Sequence, residues 1–382
     1  MVSMKRSLQE QIQKDLKRKI VIVTGPRQSG KTTLARMVTD EYDYLNYDYA
    51  EHRLAFKEKS WDRNKDTLIL DELHKMKNWK SWLKGVYDVE GIPPSLLVTG
   101  SARIDTFRKA GDSLAGRYFL YHLHPFDVKE VSNEIEPEAA FTRIMRYGGF
   151  PEPFLENDES FYLRWKKTHS DIILKHDLVD LESVRNITAM ETLAELLKNR
   201  VGSPVSYANL ARDLECDAKT VKHWLLLLEN LYVIFAVRPY HKNIARSILK
   251  EPKYYFYDTG QVKSGDGCKL ENLTACALKK EAQCIEDSLG LNIGLHYLRT
   301  KEGKEIDFAV VPEEGRPLLI EVKTSDDSPS KAFNHFKKFF NECRKIQLVR
   351  KLSREKTFPD GTEIRNIVSW LAEMDIHRLS RE

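Results

Sequence analysis

Residues 25–32 read Gly25-Pro26-Arg27-Gln28-Ser29-Gly30-Lys31-Thr32, the spacing G-x-x-x-x-G-K-[ST]. Such a loop constrains the fold more than any other feature of the chain. Glycines at its ends permit tight turns that aim successive backbone N–H groups inward, toward an anion. The β-branched run at 19–24 before it suits a buried parallel strand, and Thr33-Leu34-Ala35 after it opens a helix over 31–38. Strand, loop and helix in this order predict an α/β domain with a parallel sheet, the loop at the carboxyl edge and the helix dipole facing a phosphate. The spacing assigns residues Gly25 to Thr33 to the cradle, Lys31 to the β/γ-phosphates and the Thr32 hydroxyl to Mg²⁺.

Further strands are expected at 43–48, 67–71, 95–100 and 118–122, with helical segments between them, including 79–86. The run Thr67-Leu68-Ile69-Leu70-Asp71-Glu72 ends an apolar strand in two acids. Asp71 is placed to hold Mg²⁺ and Glu72 to polarise an attacking water. This pair separates ATP hydrolysis from mere binding. Ser101, after Val98-Thr99-Gly100, is the candidate sensor of the γ-phosphate, against its reading as a helix N-cap. Arg117, with Arg103 competing, is the candidate for stabilising transition-state charge, in cis or from a neighbouring subunit; either also suits a surface ion pair. No Asn-Lys-x-Asp for guanine is present, so a GTPase is disfavoured.

The 382 residues suffice for two or three domains with proper cores. A net charge of +4 permits nucleic-acid contact through local patches without arguing for it. The absence of a long apolar run or apolar signal core predicts a protein without a membrane span, in the cytoplasm. Five cysteines without a C-x-x-C pair predict reduced, buried thiols.

Beyond about residue 138 the pattern turns helical to 200, broken by Tyr147-Gly148-Gly149-Phe150-Pro151. A helix at 206–214 capped by Ser206, a second at 219–229 capped by Asp217, and a strand at 231–237 form a winged-helix signature. Leu225, Leu226 and Leu228 are assigned to the inner side of the second helix. Lys219, Lys222 and His223, with Arg238, Lys242 and Arg246, form a basic zone suited to phosphates, although packing against protein is an equal reading. Strands are expected near 254–257, 295–300, 306–311, 318–322 and 345–349, and helices at 270–289 and 330–342.

A second constellation lies there. Glu321 and Lys323 share one strand face by their i, i+2 spacing, Asp307 lies on the preceding strand, and Glu271 on the helix before both. Carboxylates so placed bind Mg²⁺ or Mn²⁺, and a lysine orients the water, which is the chemistry of phosphodiester hydrolysis. A solvated strand edge is the competing reading.

On these residues the first part resembles AAA+ (ASCE) P-loop ATPases of an archaeal and bacterial group that carry a domain of unknown function, DUF4143. Leu70-Asp71-Glu72-Leu73-His74, Leu114-Ala115-Gly116-Arg117 and His124-Pro125-Phe126 carry the resemblance beside the loop; His74 stands where that group often has Gln. The later part resembles DUF4143 through Tyr257-Asp258-Thr259-Gly260, Leu270-Glu271-Asn272, Glu305-Ile306-Asp307-Phe308 and Ile320-Glu321-Val322-Lys323. The resemblance implies a PD-(D/E)xK nuclease-like fold there. Expected boundaries are an ATPase domain at 1–130, a helical linker at 131–200, a winged-helix unit at 201–250 and a nuclease-like domain at 251–382, with DUF4143 over about 171–325. The expected function is ATP hydrolysis coupled to a metal-dependent nuclease-like module acting on DNA, with homo-oligomerisation open. The alternative is an ATP-dependent switch or assembly protein that binds a partner without cleavage.

Overall fold

A computed structural model describes residues 4–100, 114–173, 187–241, 250–300, 302–336, 340 and 342–381. Ser101, Arg103, Lys242 and Arg246 lie outside the described residues. The chain divides into two compact units, residues 1–124 with 230–232, and residues 125–229 with 233–382.

In the first unit, apolar five-residue runs become strands β1 (Ile20–Thr24), β2 (Tyr42–Asn46), β3 (Thr67–Asp71), β4 (Ser95–Thr99) and β5 (Tyr118–His122). They form a parallel sheet in the order β2-β3-β4-β1-β5. β1 and β3 are buried along their whole length, as a sheet covered on both faces requires. Alternate residues Ile20, Ile22, Leu68, Leu70, Leu96 and Val98 pack on one face with Phe56, Trp61, Trp79 and Leu83. The helices are α1 (Gln9–Leu16), α2 (Lys31–Met37), α3 (Ala50–Glu58) and α4 (Trp79–Glu90). The order matters for chemistry, because β4 stands between the loop strand β1 and the Asp71 strand β3.

The second unit holds an eight-stranded mixed sheet of β6 (Ile234–Pro239), β7 (Lys253–Phe256), β8 (Ile293–Arg299), β9 (Glu305–Pro312), β10 (Leu318–Lys323), β11 (Arg344–Val349), β12 (Lys356–Thr357) and β13 (Thr362–Asn366). Its order is β12-β13-β11-β10-β9-β8-β6-β7. β8, β9 and β10 form an antiparallel meander, and β11 adds parallel to β10. The 24-residue helix Asp266–Leu289 lies against β7, β8, β9 and β10 through Leu270, Leu273, Ala277 and Leu278.

The helix pair Tyr207–Asp213 and Ala218–Asn230 precedes the antiparallel hairpin of β6 and β7. Asp217 caps the second helix as expected, accepting from Thr220 N at 2.9 Å, whereas the Ser206 side chain makes no capping bond. β6 also pairs with β8, so the segment expected as a 201–250 unit shares its sheet with the segment expected to begin at 251. Leu225 and Leu228 are buried, but Leu226 is 52% exposed. At 100° per residue it falls beside Lys222 and His223 on the outer side, which corrects its assignment. Asp258 is buried and accepts from Gly260 N at 3.0 Å and Tyr162 Oη at 3.2 Å, a capping role. β13 and the helices Ile367–Glu373 and Ile376–Leu379 were not anticipated. All five cysteines are free thiols, and among the described residues no helix is long and apolar enough to cross a membrane.

Candidate functional site

The loop between β1 and α2 is shaped by close approach. Gly25 has φ +147°, and a Cβ there would lie 2.3 Å from the Leu123 carbonyl oxygen. Gly30, at φ 91°, enters α2 from the left-handed region. Lys31 is buried, and its ammonium donates to the carbonyls of Gly25 at 3.1 Å and Pro26 at 2.6 Å. Arg6, from the segment ahead of α1, is buried and donates to the Ser29 carbonyl at 2.8 Å and the His124 carbonyl at 2.6 Å. It ties the loop to the end of β5. Among the described residues, the buried hydroxyls of Thr24 and Ser29 have no hydrogen-bond partner.

Asp71 ends β3 and is the hub of the site. Thr32 Oγ1 donates to its Oδ2 at 2.9 Å, Tyr44 Oη at 2.6 Å and Asn46 Nδ2 at 3.4 Å. Thr99 Oγ1 donates to its Oδ1. The register explains the convergence, since Asn46, Asp71 and Thr99 are direct partners at the carboxyl ends of β2, β3 and β4. Every one of these side-chain donors is neutral, so none of them brings a counter-charge to the site. Thr32 and Asp71 are hard oxygen ligands side by side, a donor set that fits Mg²⁺.

Glu72 turns off the strand at φ 55°, a left-handed conformation uncommon outside glycine. Its N–H donates to the Thr99 carbonyl at 3.0 Å. Its carboxylate lies 3.6 Å from both His74 Nε2 and Lys75 Nζ. Burial lifts the Glu72 carboxyl above the usual range, partly offset by Lys75. The sharp turn presents the Glu72 carboxylate next to Asp71, the arrangement a general base beside a metal-holding acid would need.

Arg117 does not join this site. Its guanidinium holds Asp88 through Nε at 2.8 Å and Nη2 at 3.2 Å. It precedes the amino end of β5, whose Tyr118 pairs with Ile20, while the loop leaves the carboxyl end beside Leu123. Five strand residues, about 16 Å, separate the two edges. In this arrangement Arg117 stands away from the loop, and the surface ion pair with Asp88 is what forms. Thr99, Tyr44, Asn46 and Arg6 were missed as site residues. For Thr99 and Asn46, the legible signal was a polar residue at a strand's carboxyl end, level with Asp71, whereas Tyr44 lies mid-strand opposite Ile69.

In the second unit Glu271, Asp307, Glu321 and Lys323 come together, with two additions, Lys253 and Glu305. Lys253, on β7, has a fully buried side chain. Its ammonium lies 3.1 Å from Glu271 Oε1, 2.6 Å from Glu305 Oε1 and 3.9 Å from Asp307 Oδ1. Tyr255 Oη donates to the same Glu271 oxygen at 2.6 Å. Lys323 donates to Glu321 Oε1 at 2.7 Å. The β9–β10 pairing runs to Phe308–Ile320, and there the acids replace the backbone ladder. Asp307 Oδ2 accepts from Val322 N at 2.9 Å and Glu321 Oε2 from Asp307 N at 3.4 Å. Burial and the Asp307 charge push Glu271 and Glu321 up to about 7. Burial alone would lower Lys253, but the charges of Glu271, Asp307 and Glu305 outweigh it and hold the group above the usual lysine range. Among the described residues no three His, Cys, Asp or Glu side chains are arranged to hold a metal ion. Of the expected ligands, Glu271 and Asp307 face the Lys253 ammonium and Glu321 that of Lys323, and with these cations in place the donor set does not fit a divalent cation.

Comparisons with known proteins follow the same division. The AAA domain family matches residues 17–132, and DUF4143, a domain of unknown function, matches 266–369. A further domain of unknown function, DUF8612, matches 138–267, so the DUF4143 match starts later and ends later than the expected 171–325. An uncharacterized protein of Mycobacterium tuberculosis is 29% identical over 325 residues, covering 82% of this chain and 72% of its own. An uncharacterized protein of Methanocaldococcus jannaschii is 22% identical over 363 residues, covering 85% of this chain and 80% of its own. Among solved structures, a signal transduction ATPase (STAND) protein with a tetratricopeptide repeat sensor from Pyrococcus horikoshii aligns with 75% of this chain at 13% identity and TM-score 0.24. The chain spans about half of that structure, 48% of it, and a score so low carries no functional weight. Beside its loop and strand order, the chain thus carries a match to an AAA domain in its first part and to a DUF4143 domain in its last.

Proposed function

We propose that the chain binds ATP with Mg²⁺, hydrolyses it, and uses the nucleotide state to control a nuclease-like C-terminal domain that holds DNA without cutting it. One observation carries the first half. Asp71 is gripped on both oxygens by hydroxyls, Thr32 from the loop helix and Thr99 from the intervening strand, with Glu72 turned out beside it.

The steps follow from the chain's own groups. Lys31 already points into the cradle, and its ammonium exchanges the Gly25 and Pro26 carbonyls for phosphate oxygens. Thr32 and Asp71 would hold Mg²⁺, which when bound neutralises charge between the β- and γ-phosphates. Glu72 takes a proton from the attacking water. Thr99, through Asp71, is positioned to register loss of the γ-phosphate. Ser101 stays a proposal for the same sensing role. Arg117 would serve a neighbouring copy, in a homo-oligomer where it leaves Asp88.

For the C-terminal domain, cleavage would require Glu271, Asp307 and Glu321 to hold Mg²⁺ or Mn²⁺ while Lys323 orients water. Lys253, seated among those acids, favours recognition without cleavage. Exposed Lys219, Lys222 and His223 on one helix face offer the contacts to DNA phosphates. A cytoplasmic location belongs to the same proposal. ATPase rate measured with and without duplex DNA, beside a Mg²⁺/Mn²⁺ cleavage assay, tests it. DNA-dependent turnover with background cleavage is expected. Metal-dependent cleavage lost in Lys323→Ala would restore the nuclease reading, and absence of turnover would end the ATPase reading.

A further inference from the structure

The carboxylates of the second unit are the residues a nuclease-like fold would turn to a metal, yet they face an internal cation. A lysine with a fully buried side chain is costly to keep charged unless it is closely paired. Lys253 is so paired, to Glu271, Glu305 and Asp307 at once. Two further cations flank the row, Lys323 on Glu321 at 2.7 Å and Arg299 on Glu305 at 3.0 Å. Several of the oxygens a divalent ion would need therefore already accept hydrogen bonds. Glu271 Oε1 accepts from both Lys253 and Tyr255, while Asp307 Oδ2 and Glu321 Oε2 are tied to backbone N–H groups across β9 and β10.

We infer that Lys253 is the resident cation of this acid row, taking the place of the divalent metal, so that the C-terminal domain works without Mg²⁺ or Mn²⁺. The inference deepens the non-cleaving half of the proposed function and leaves its ATPase half untouched. A divalent ion shared by Glu271 and Asp307 would have to displace an ammonium that has no solvent to retreat into. The same ammonium fastens β7 to the helix Asp266–Leu289 and to β9, so the site is a structural knot.

The test is Mn²⁺ binding to the full chain without nucleotide, read by electron paramagnetic resonance, in an Asp71→Asn background that silences the loop site. No Mn²⁺ uptake below about 1 mM is expected with Lys253 present, and Lys253→Met should gain affinity by at least about tenfold because its acids lose their counter-charge. Thermal unfolding of Lys253→Met is expected to shift upward on adding Mn²⁺, while the parent protein does not shift. Stoichiometric Mn²⁺ uptake by the parent protein that disappears in Asp307→Asn would overturn the inference. If Lys253→Met does not fold, the parent measurement with its Asp307→Asn control still decides. ATP turnover, measured separately on the unmodified chain, can fail without affecting any of these outcomes.

Discussion

Two acidic clusters sit at strand ends in this molecule, and their partners differ in charge. Asp71 is held by hydroxyls and an amide, from Thr32, Thr99, Tyr44 and Asn46. The acids of the second unit are held by ammoniums, from Lys253 and Lys323. Neutral donors orient a carboxylate and leave its charge available for an incoming cation. Ammonium donors cancel that charge within the fold. Matching carboxylates in a motif therefore says less about metal binding than the charge of their hydrogen-bond donors, which our proposal takes as the distinguishing feature.

The sharpest way to break the contrast is at Glu72. Glu72→Gln should lower ATP turnover by about 10²- to 10⁴-fold while ATP stays bound, because only the proton acceptor is lost. Filter binding with labelled ATP beside a turnover assay would show it, and turnover near the parent level would mean another base acts. Next comes Lys253→Met, which strands buried carboxylates. It should destabilise the second unit by about 3–5 kcal/mol and leave the ATPase rate within twofold, roughly the spread of a mutation far from the site. Denaturant unfolding followed against activity separates the two.

Thr99→Val removes a hydroxyl from a charged acceptor and should weaken Mg²⁺-ATP binding by about 1.5–3 kcal/mol, measurable by titration calorimetry. Arg6→Ala should weaken nucleotide binding by a smaller factor, about 1 kcal/mol, with partial rescue by Lys, since one donor still reaches the loop carbonyl. The smallest effect is on pH. Burial raises the Glu72 carboxyl above the ordinary value of 4.5, so turnover should fall on acidification at a higher pH than an exposed glutamate would give. The group must be ionised to act, so the loss comes as pH drops through the raised value. That acid limb should vanish in Glu72→Gln.

Much of the first site was legible because it is local. The loop and the Asp71-Glu72 pair each sit within a few residues, and a strand–loop–helix pattern says where their side chains go. The parallel sheet was readable too, because short strand-like runs alternate with helices along this part of the chain. The choice among the readings left open for Arg117 was not legible, because sequence spacing says nothing about which edge of a parallel sheet a residue occupies. Thr99 was quoted only as part of a motif; its register opposite Asp71 is a sheet property. The second site was half legible. Glu321 and Lys323 pair as their spacing predicts, but Lys253, in Glu251-Pro252-Lys253-Tyr254, reads as a strand-edge charge. Only the path of β6 beside β8, with β7 beyond it, brings that lysine under helix Asp266–Leu289.

The contrast between the two clusters is tested most directly by counting Mn²⁺ ions per chain with and without a non-hydrolysable ATP analogue. One ion, bound only with nucleotide and lost in Asp71→Asn, is the expected result. A second ion, bound without nucleotide and lost in Asp307→Asn, would contradict it.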